Sequence, residues 1–151
     1  MPVTRRSREL AATPEEVWAL IEDPHHMPRW WPEVKRMEDV QEDRWTQVFI
    51  SKRGRAVRAD FRLVASDPPG PGGHPSGRRA WEQDVIGTPF ERVLSESVTE
   101  LTVEPSGDGT MVTLVQRQKL RGYSKTGGFL LRRATREKLD AALEGIAQTV
   151  G

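Results

Sequence analysis

The chain has 151 residues, a formal net charge of +1 and no cysteine. This length allows one globular domain with a sizeable core or an enclosed pocket, and the lack of cysteine excludes disulfides and thiolate metal sites. No apolar run approaches the roughly 20 residues of a membrane-spanning helix. The basic residues near the start are not followed by an apolar stretch, so no secretory signal peptide is expected. We therefore expect a single domain, residues 1–151, in the cytoplasm.

Residues 3–10 are predicted to form a strand, and the next segment carries a helix start. Thr13 suits the N-cap, Pro14 the first helical position, and Glu16 can bond back to the Thr13 amide in a capping box. Asp23 precedes a proline and should end this helix, because such a residue disfavours helical geometry. Segment 25–34 holds Met27, Trp30 and Trp31 bracketed by Pro24, Pro28 and Pro32, which predicts a second short helix or turn packed tightly.

Period-two alternation of apolar and polar residues begins at about residue 34 and predicts six further strands. Their expected ranges are 34–40, 45–51, 55–66, 78–86, 92–105 and 110–121. In the third of these, every second residue from Val57 to Ala65 is apolar, which is typical of a half-buried antiparallel strand. The intervening segment 66–77 is rich in proline and glycine and is predicted to be an irregular surface loop.

Residues 127–150 are predicted to form one long helix. Its apolar residues recur every three or four positions, and the same stripe includes Lys138. The apolar face needs a partner, and the concave face of a curved antiparallel sheet is the surface available to it. This order of elements predicts an α+β fold. The glycine-bearing segment 122–128 is expected to be a flexible entry to the helix, with Thr126 as a possible N-cap.

Charge is balanced in sum but unevenly distributed along the chain. Basic residues dominate segments 51–80 and 117–138, and acidic residues dominate segment 82–108. This pattern predicts acidic and basic strands side by side, with cross-strand pairs on a solvated face. The alternative is a basic patch for nucleic acid, which the near-neutral total charge disfavours.

Several segments together resemble a known superfamily. They are Thr13-Pro14-Glu15-Glu16-Val17-Trp18, Trp30-Trp31-Pro32, Gly87-Thr88-Pro89-Phe90 and the closing amphipathic helix. Their order resembles the START/SRPBCC helix-grip superfamily, in particular the bacterial polyketide cyclase/dehydrase and lipid-transport group. The resemblance implies a seven-stranded curved sheet that grips the last helix around an apolar cavity for a lipid, steroid, polyketide or aromatic ligand. Superfamily members include carriers and cofactor-free cyclases or dehydratases, so the fold alone does not name the function.

Three glutamines fall at inward positions of the predicted strands: Gln83, Gln116 and Gln118. An inward amide without a partner costs about 1–3 kcal/mol, so these residues indicate a polar, ligand-binding cavity rather than a dry core. The alternative is a one-residue register shift or a bulge that turns them outward.

Five aromatic residues are candidates for the pocket wall or its mouth: Trp30, Trp31, Phe61, Trp81 and Phe129. Aromatic rings offer flat apolar surfaces to a ligand. The alternative for each of them is ordinary core packing. Phe61 and Trp81 are the first candidates for ligand contact.

No catalytic residue is identifiable from the pattern. Asp84 or Glu96 would qualify only if a bulge turned its carboxylate inward, where burial would raise its pKa. His25 and His26 are adjacent and point in different directions, so no metal site is expected, and no cofactor motif is present. Segment 122–128 could gate a cavity.

These observations favour a protein that binds or transports a small hydrophobic or aromatic ligand without a cofactor. One alternative is a cofactor-independent polyketide cyclase or dehydratase, in which a polar cavity residue polarises a carbonyl. Another is a protein interaction module that uses the basic strips, which are the basic segments 51–80 and 117–138, to bind an acidic partner. Whether the chain is an enzyme, and whether it is a monomer or a homodimer, stays open.

Overall fold

A computed structural model describes residues 3–70, 74–122 and 125–151. Its elements in chain order are β1 (Val3–Leu10), α1 (Pro14–Ile21), a 3-10 helix (Pro24–His26), α2 (Met27–Trp30), β2 (Val34–Glu38), β3 (Arg44–Ile50), β4 (Ala56–Asp67), β5 (Gly77–Gln83), a 3-10 helix (Pro89–Arg92), β6 (Leu94–Ser106), β7 (Gly109–Leu120) and α3 (Lys125–Val150). The predicted α+β helix-grip fold is confirmed, with a curled seven-stranded sheet and a long C-terminal helix. Within the described ranges, no helix is long and apolar enough to cross a membrane.

The sheet is antiparallel throughout and has the order β1-β7-β6-β5-β4-β3-β2. Strands β2 to β7 therefore follow one another as neighbours, and β1 closes the far edge against β7. The first two strands in sequence lie at opposite edges. Helices α1 and α2 make the connection between those edges.

The start of α1 follows the predicted capping chemistry. Thr13 is extended, its Oγ1 accepts a hydrogen bond from the Glu16 amide at 3.2 Å, and Pro14 occupies the first turn. After α1, Asp23 Oδ1 accepts a hydrogen bond from the His25 amide at 2.9 Å and caps the short 3-10 helix. The expected end of the first helix at Asp23 therefore marks the start of the next one.

Strand β5 is shorter than the predicted range 78–86. It ends at Gln83, and Val85 begins a turn in which its carbonyl accepts hydrogen bonds from the amide and hydroxyl of Thr88. Thr88 also caps the following 3-10 helix, since its Oγ1 accepts from the Phe90 amide at 3.3 Å. The next strand therefore begins at Leu94 rather than at 92.

A bulge changes the alternation predicted for β4. Leu63 pairs with Trp81 and Ala65 pairs with Ala80, so Val64 is an extra residue on this strand. Ala65 consequently shares the outer face with Ala80, whereas the alternation predicted it on the inner face with Phe61. Bulges of this kind bend strands and increase their twist, which helps the sheet to curl.

An aromatic cluster connects α2 to the sheet. Trp81 of β5 makes edge contacts with Trp30, Trp31 and Trp45 at ring-centre distances of 6.5, 6.1 and 6.4 Å, and Trp45 stacks on Phe61 at 6.4 Å. Trp30 and Trp81 are 2% and 1% exposed. Each such aromatic pair adds roughly 0.5–1.5 kcal/mol of stabilisation beyond that from buried area. The cluster therefore strengthens the packing of α2 against the inner face of the sheet.

Close packing and two ion pairs hold helix α3 against the rest of the domain. Its residues Leu139 and Ile146 are fully buried in the core. At Gly145 the backbone of Trp30 comes so close that a Cβ would lie 2.5 Å from the Trp30 carbonyl oxygen. Two ion pairs, Arg6 with Asp140 and Arg8 with Glu144, connect the helix to β1.

Candidate functional site

A cavity of about 380 Å³ lies between the inner face of the sheet, the end of α2 and helix α3. Three strands, helix α3 and the α2–β2 connection contribute its apolar wall. The residues are Phe49 of β3, Phe61 of β4, Leu94 of β6, Leu131 of α3 and Trp31 of the connection. A groove of about 360 Å³ shares Pro32, Glu33, Leu131 and Lys138 with this cavity. The size is within the range of roughly 300–1,000 Å³ that is common for small-molecule pockets.

Polar side chains from neighbouring strands meet on one wall of the cavity. The antiparallel register places Ser97 opposite Gln118 and Thr99 opposite Gln116, so all four side chains share the inner face. Gln116 Nε2 donates a hydrogen bond to Thr99 Oγ1 at 3.0 Å. Gln118 Oε1 accepts one from Thr135 Oγ1 of α3 at 3.1 Å, which connects this wall to the helix.

Three buried amide atoms in the cavity wall have no hydrogen-bond partner within the described part of the chain. They are Gln47 Oε1, Gln83 Nε2 and Gln116 Oε1. Each buried group of this kind costs about 1–3 kcal/mol unless water or a ligand satisfies it. The wall therefore carries two acceptors and one donor whose hydrogen-bonding capacity the described protein atoms leave unused.

Lys138 is the cationic residue that α3 brings to the cavity wall. Burial lowers the pKa of its amine, and the charge of Glu33 acts in the opposite direction. The sequence pattern placed Lys138 in the apolar stripe of the helix without assigning it a role. A single cation in such a stripe was the signal that could have identified it.

The structure brings five of the eight sequence-predicted ligand-binding residues to the cavity wall: Trp31, Phe61, Gln83, Gln116 and Gln118. Trp30 and Trp81 lie in the aromatic cluster instead. Phe129 is 61% exposed on α3. Sequence reasoning missed Gln47, Ser97 and Thr99, although the strand alternation that selected the other glutamines also applies to their strands.

The outer face of the sheet carries the predicted cross-strand ion pairs, and this prediction is confirmed. Arg62 contacts Glu82 at 2.8 Å, and Glu100 lies between Arg78 at 3.0 Å and Arg117 at 3.6 Å. Burial would raise the pKa of Glu100, but the hydrogen bond from Arg78 and the two positive charges outweigh it and lower the pKa. Several basic side chains of segments 51–80 and 117–138 are thus paired with acidic side chains on neighbouring strands.

The two adjacent histidines lie in the short 3-10 helix that follows α1. His25 Nδ1 lies 2.9 Å from Asp23 Oδ1, and His26 Nδ1 lies 2.9 Å from the Leu20 carbonyl oxygen. Across the residues that the structure describes, no group of three His, Cys, Asp or Glu side chains is arranged to hold a metal ion. Asp84, one of the two carboxylates considered for catalysis, pairs with Arg62 at 3.4 Å.

The proposed gate at 122–128 lies partly outside the described residues, which omit 123 and 124. Helix α3 begins at Lys125, so Thr126 is its second residue. The expectation that Thr126 is the N-cap was therefore wrong, because the helix starts earlier than its apolar periodicity indicates.

A family model described as polyketide cyclase / dehydrase and lipid transport matches residues 1–151. The chain belongs to this family. No curated protein matches its sequence. This family membership agrees with the helix-grip architecture of the structure.

Several solved structures are similar to the chain at low sequence identity. A protein from Thermus thermophilus is 22% identical with a TM-score of 0.71, over 99% of this chain and 97% of that one. A START superfamily protein from Mycobacterium smegmatis is 13% identical with a TM-score of 0.71, over 98% and 96%. The di-domain ARO/CYC BexL from the BE-7585A biosynthetic pathway is 19% identical with a TM-score of 0.75, over 98% of this chain and 46% of BexL. These likenesses establish the fold.

Proposed function

We propose that the 151 residues act as one domain that binds or carries a small hydrophobic or aromatic ligand, such as a lipid or polyketide, in the cavity between sheet and α3. The observation that supports this most directly is the cavity of about 380 Å³ with apolar walls and unpartnered amide atoms. Apolar walls with a few placed polar groups are typical of small-molecule sites.

Ligand contacts in this proposal come from both kinds of wall residue. Trp31 and Phe61 supply flat apolar surfaces, and Gln83 and Gln116 orient the ligand through hydrogen bonds. No cofactor is required for such binding. We place the protein in the cytoplasm on the basis of its cysteine-free composition.

Native mass spectrometry of gently purified protein, followed by denaturation and identification of the released compound, tests this proposal. We expect one apolar compound per cavity. A matched pair of variants on α3 locates it: Leu131 lines the cavity, whereas its neighbour Leu130 is 57% exposed. Leu131→Trp should fill space in the cavity and reduce occupancy at least tenfold, and Leu130→Trp should leave it unchanged.

The proposal would be wrong if the wild-type protein came out empty and also failed to bind hydrophobic dyes. Equal occupancy in the two tryptophan variants would place the compound elsewhere on the molecule. Either result would remove the cavity from consideration as the binding site.

A second candidate is a cofactor-independent cyclase or dehydratase, favoured by Gln83 Nε2, a donor of the cavity wall that has no partner among the described residues. A preorganised donor in a water-poor site can stabilise charge that develops on a carbonyl oxygen. Recovery of a cyclised or dehydrated product would support this candidate. Gln83→Leu should then abolish turnover while ligand binding persists, whereas a carrier would release its compound unchanged.

A further inference from the structure

Lys138 occupies an unusual position for a charged residue. It lies on the buried side of α3, one turn after Thr135 and next to the fully buried Leu139. It lines both the cavity and the adjoining groove, so it stands where the two spaces meet. A lysine stem can cover apolar surface while its amine reaches polar surroundings, and here those surroundings are the cavity.

Among the described residues, no carboxylate forms an ion pair with the amine of Lys138. Glu33 is the acid whose charge acts on it, yet the two residues do not form an ion pair within the described ranges. Glu33 itself is exposed, so water screens its charge. A partly buried cation without a close partner is stabilised when an anion enters beside it.

The amide groups of the same wall complement this cation. Gln47 and Gln116 are 1% and 5% exposed, and each leaves a carbonyl oxygen unpartnered in the described structure. Those oxygens accept hydrogen bonds and would repel an anion, so an anionic group is best placed away from them. Lys138 lies where the cavity meets the groove, so an anionic group beside its amine would be separated from those oxygens.

We propose that Lys138 is the anchor for an ionised carboxylate on the ligand, whose aromatic or aliphatic body lies against Phe61 and Trp31 and whose hydroxyl or carbonyl groups meet the amides. The ligand class is therefore a hydrophobic carboxylic acid. This inference rests on the proposed ligand-binding function, and it adds the chemical group by which the site selects among apolar molecules. A charge-assisted hydrogen bond from an ammonium to a carboxylate is stronger than a neutral one.

Isothermal titration calorimetry with 2-naphthoic acid and 2-naphthamide at neutral pH tests this inference. The two probes share shape and apolar surface and differ in the charged group. We expect the wild-type protein to bind the acid at least tenfold more tightly than the amide. Lys138→Met and Lys138→Gln should remove this preference and leave the affinity for the amide unchanged. Lys119→Met is the matched control, because Lys119 is exposed on the outer face of β7.

Each other outcome has a definite meaning. Equal binding of acid and amide by the wild type, or a preference that survives in both Lys138 variants, would overturn the assignment of Lys138 and leave the cavity as a neutral binding site. Loss of amide binding in both variants would show that the lysine maintains the cavity rather than anchoring a carboxylate. If the wild type bound neither probe, this inference would be overturned for aromatic acids, whereas the proposed binding function would fail only if the protein also came out empty in native mass spectrometry and bound no hydrophobic dye.

Discussion

Gly145 is the position at which a single methyl group should disturb both the fold and the site. A Cβ at this residue would lie 2.5 Å from the carbonyl oxygen of Trp30 and 2.8 Å from its Cα. Ordinary contact needs about 3.4 Å, so α2 and α3 would have to separate by roughly 0.9 Å. The next residue along the chain from Trp30 is Trp31, which lines the cavity.

The stability change follows from two opposing effects. Overpacking of a well-packed interior costs typically about 1–3 kcal/mol, and the upper end applies here because the obstructing atoms are backbone. Alanine is better than glycine inside a helix by about 1 kcal/mol, which offsets part of this cost. For Gly145→Ala we therefore expect a net decrease in the free energy of unfolding of about 2 kcal/mol.

The same helix offers a matched control. At Gly128 a Cβ would meet only Leu120 Cδ1 at 4.0 Å, so Gly128→Ala should stabilise the protein by about 0.5–1 kcal/mol. Urea unfolding of both variants measures the difference, and with a slope near 2 kcal/mol per molar the midpoint for Gly145→Ala should fall by about 1 M. The reasoning is refuted if Gly145→Ala unfolds at the wild-type midpoint or above it with an unchanged slope.

Two further changes test the polar contacts. The pKa of Glu100 is lowered in the folded state by Arg78 and Arg117, so their pairing stabilises the protein above the ordinary carboxyl pKa and is lost as the pH falls through the lowered value. Glu100→Gln should cost up to about 1 kcal/mol at pH 7 and nothing in strong acid, measured by urea unfolding across pH; a pH-independent difference would contradict this. Thr135→Val should leave Gln118 Oε1 without its donor and cost about 1–3 kcal/mol, whereas adding Gln118→Leu should recover much of the loss.

Features that depend on neighbouring residues in the chain could be predicted from the sequence. The helix start at Thr13 and Pro14 uses hydrogen bonds and backbone angles within four residues, and the side-chain alternation of β7 follows from strand geometry alone. From the order of such elements, and from the resemblance, the helix-grip fold and the inward direction of Gln116 and Gln118 could be inferred before any coordinates were considered.

Features that depend on contacts between distant residues were decided only by the tertiary structure. The bulge at Val64 moves Ala65 to the outer face, because pairing with β5 determines it. Phe129 and Lys138 lie on the same helix, yet one is exposed and the other lines the cavity. Helical periodicity already places these two residues on opposite sides of α3, because nine positions are about two and a half turns. That the side with Lys138 borders a cavity depends on how α3 packs against α2 and the sheet, where Gly145 closely approaches Trp30. Periodicity identifies which side chains share a face, but a cavity forms where several faces meet, and that depends on register and curvature.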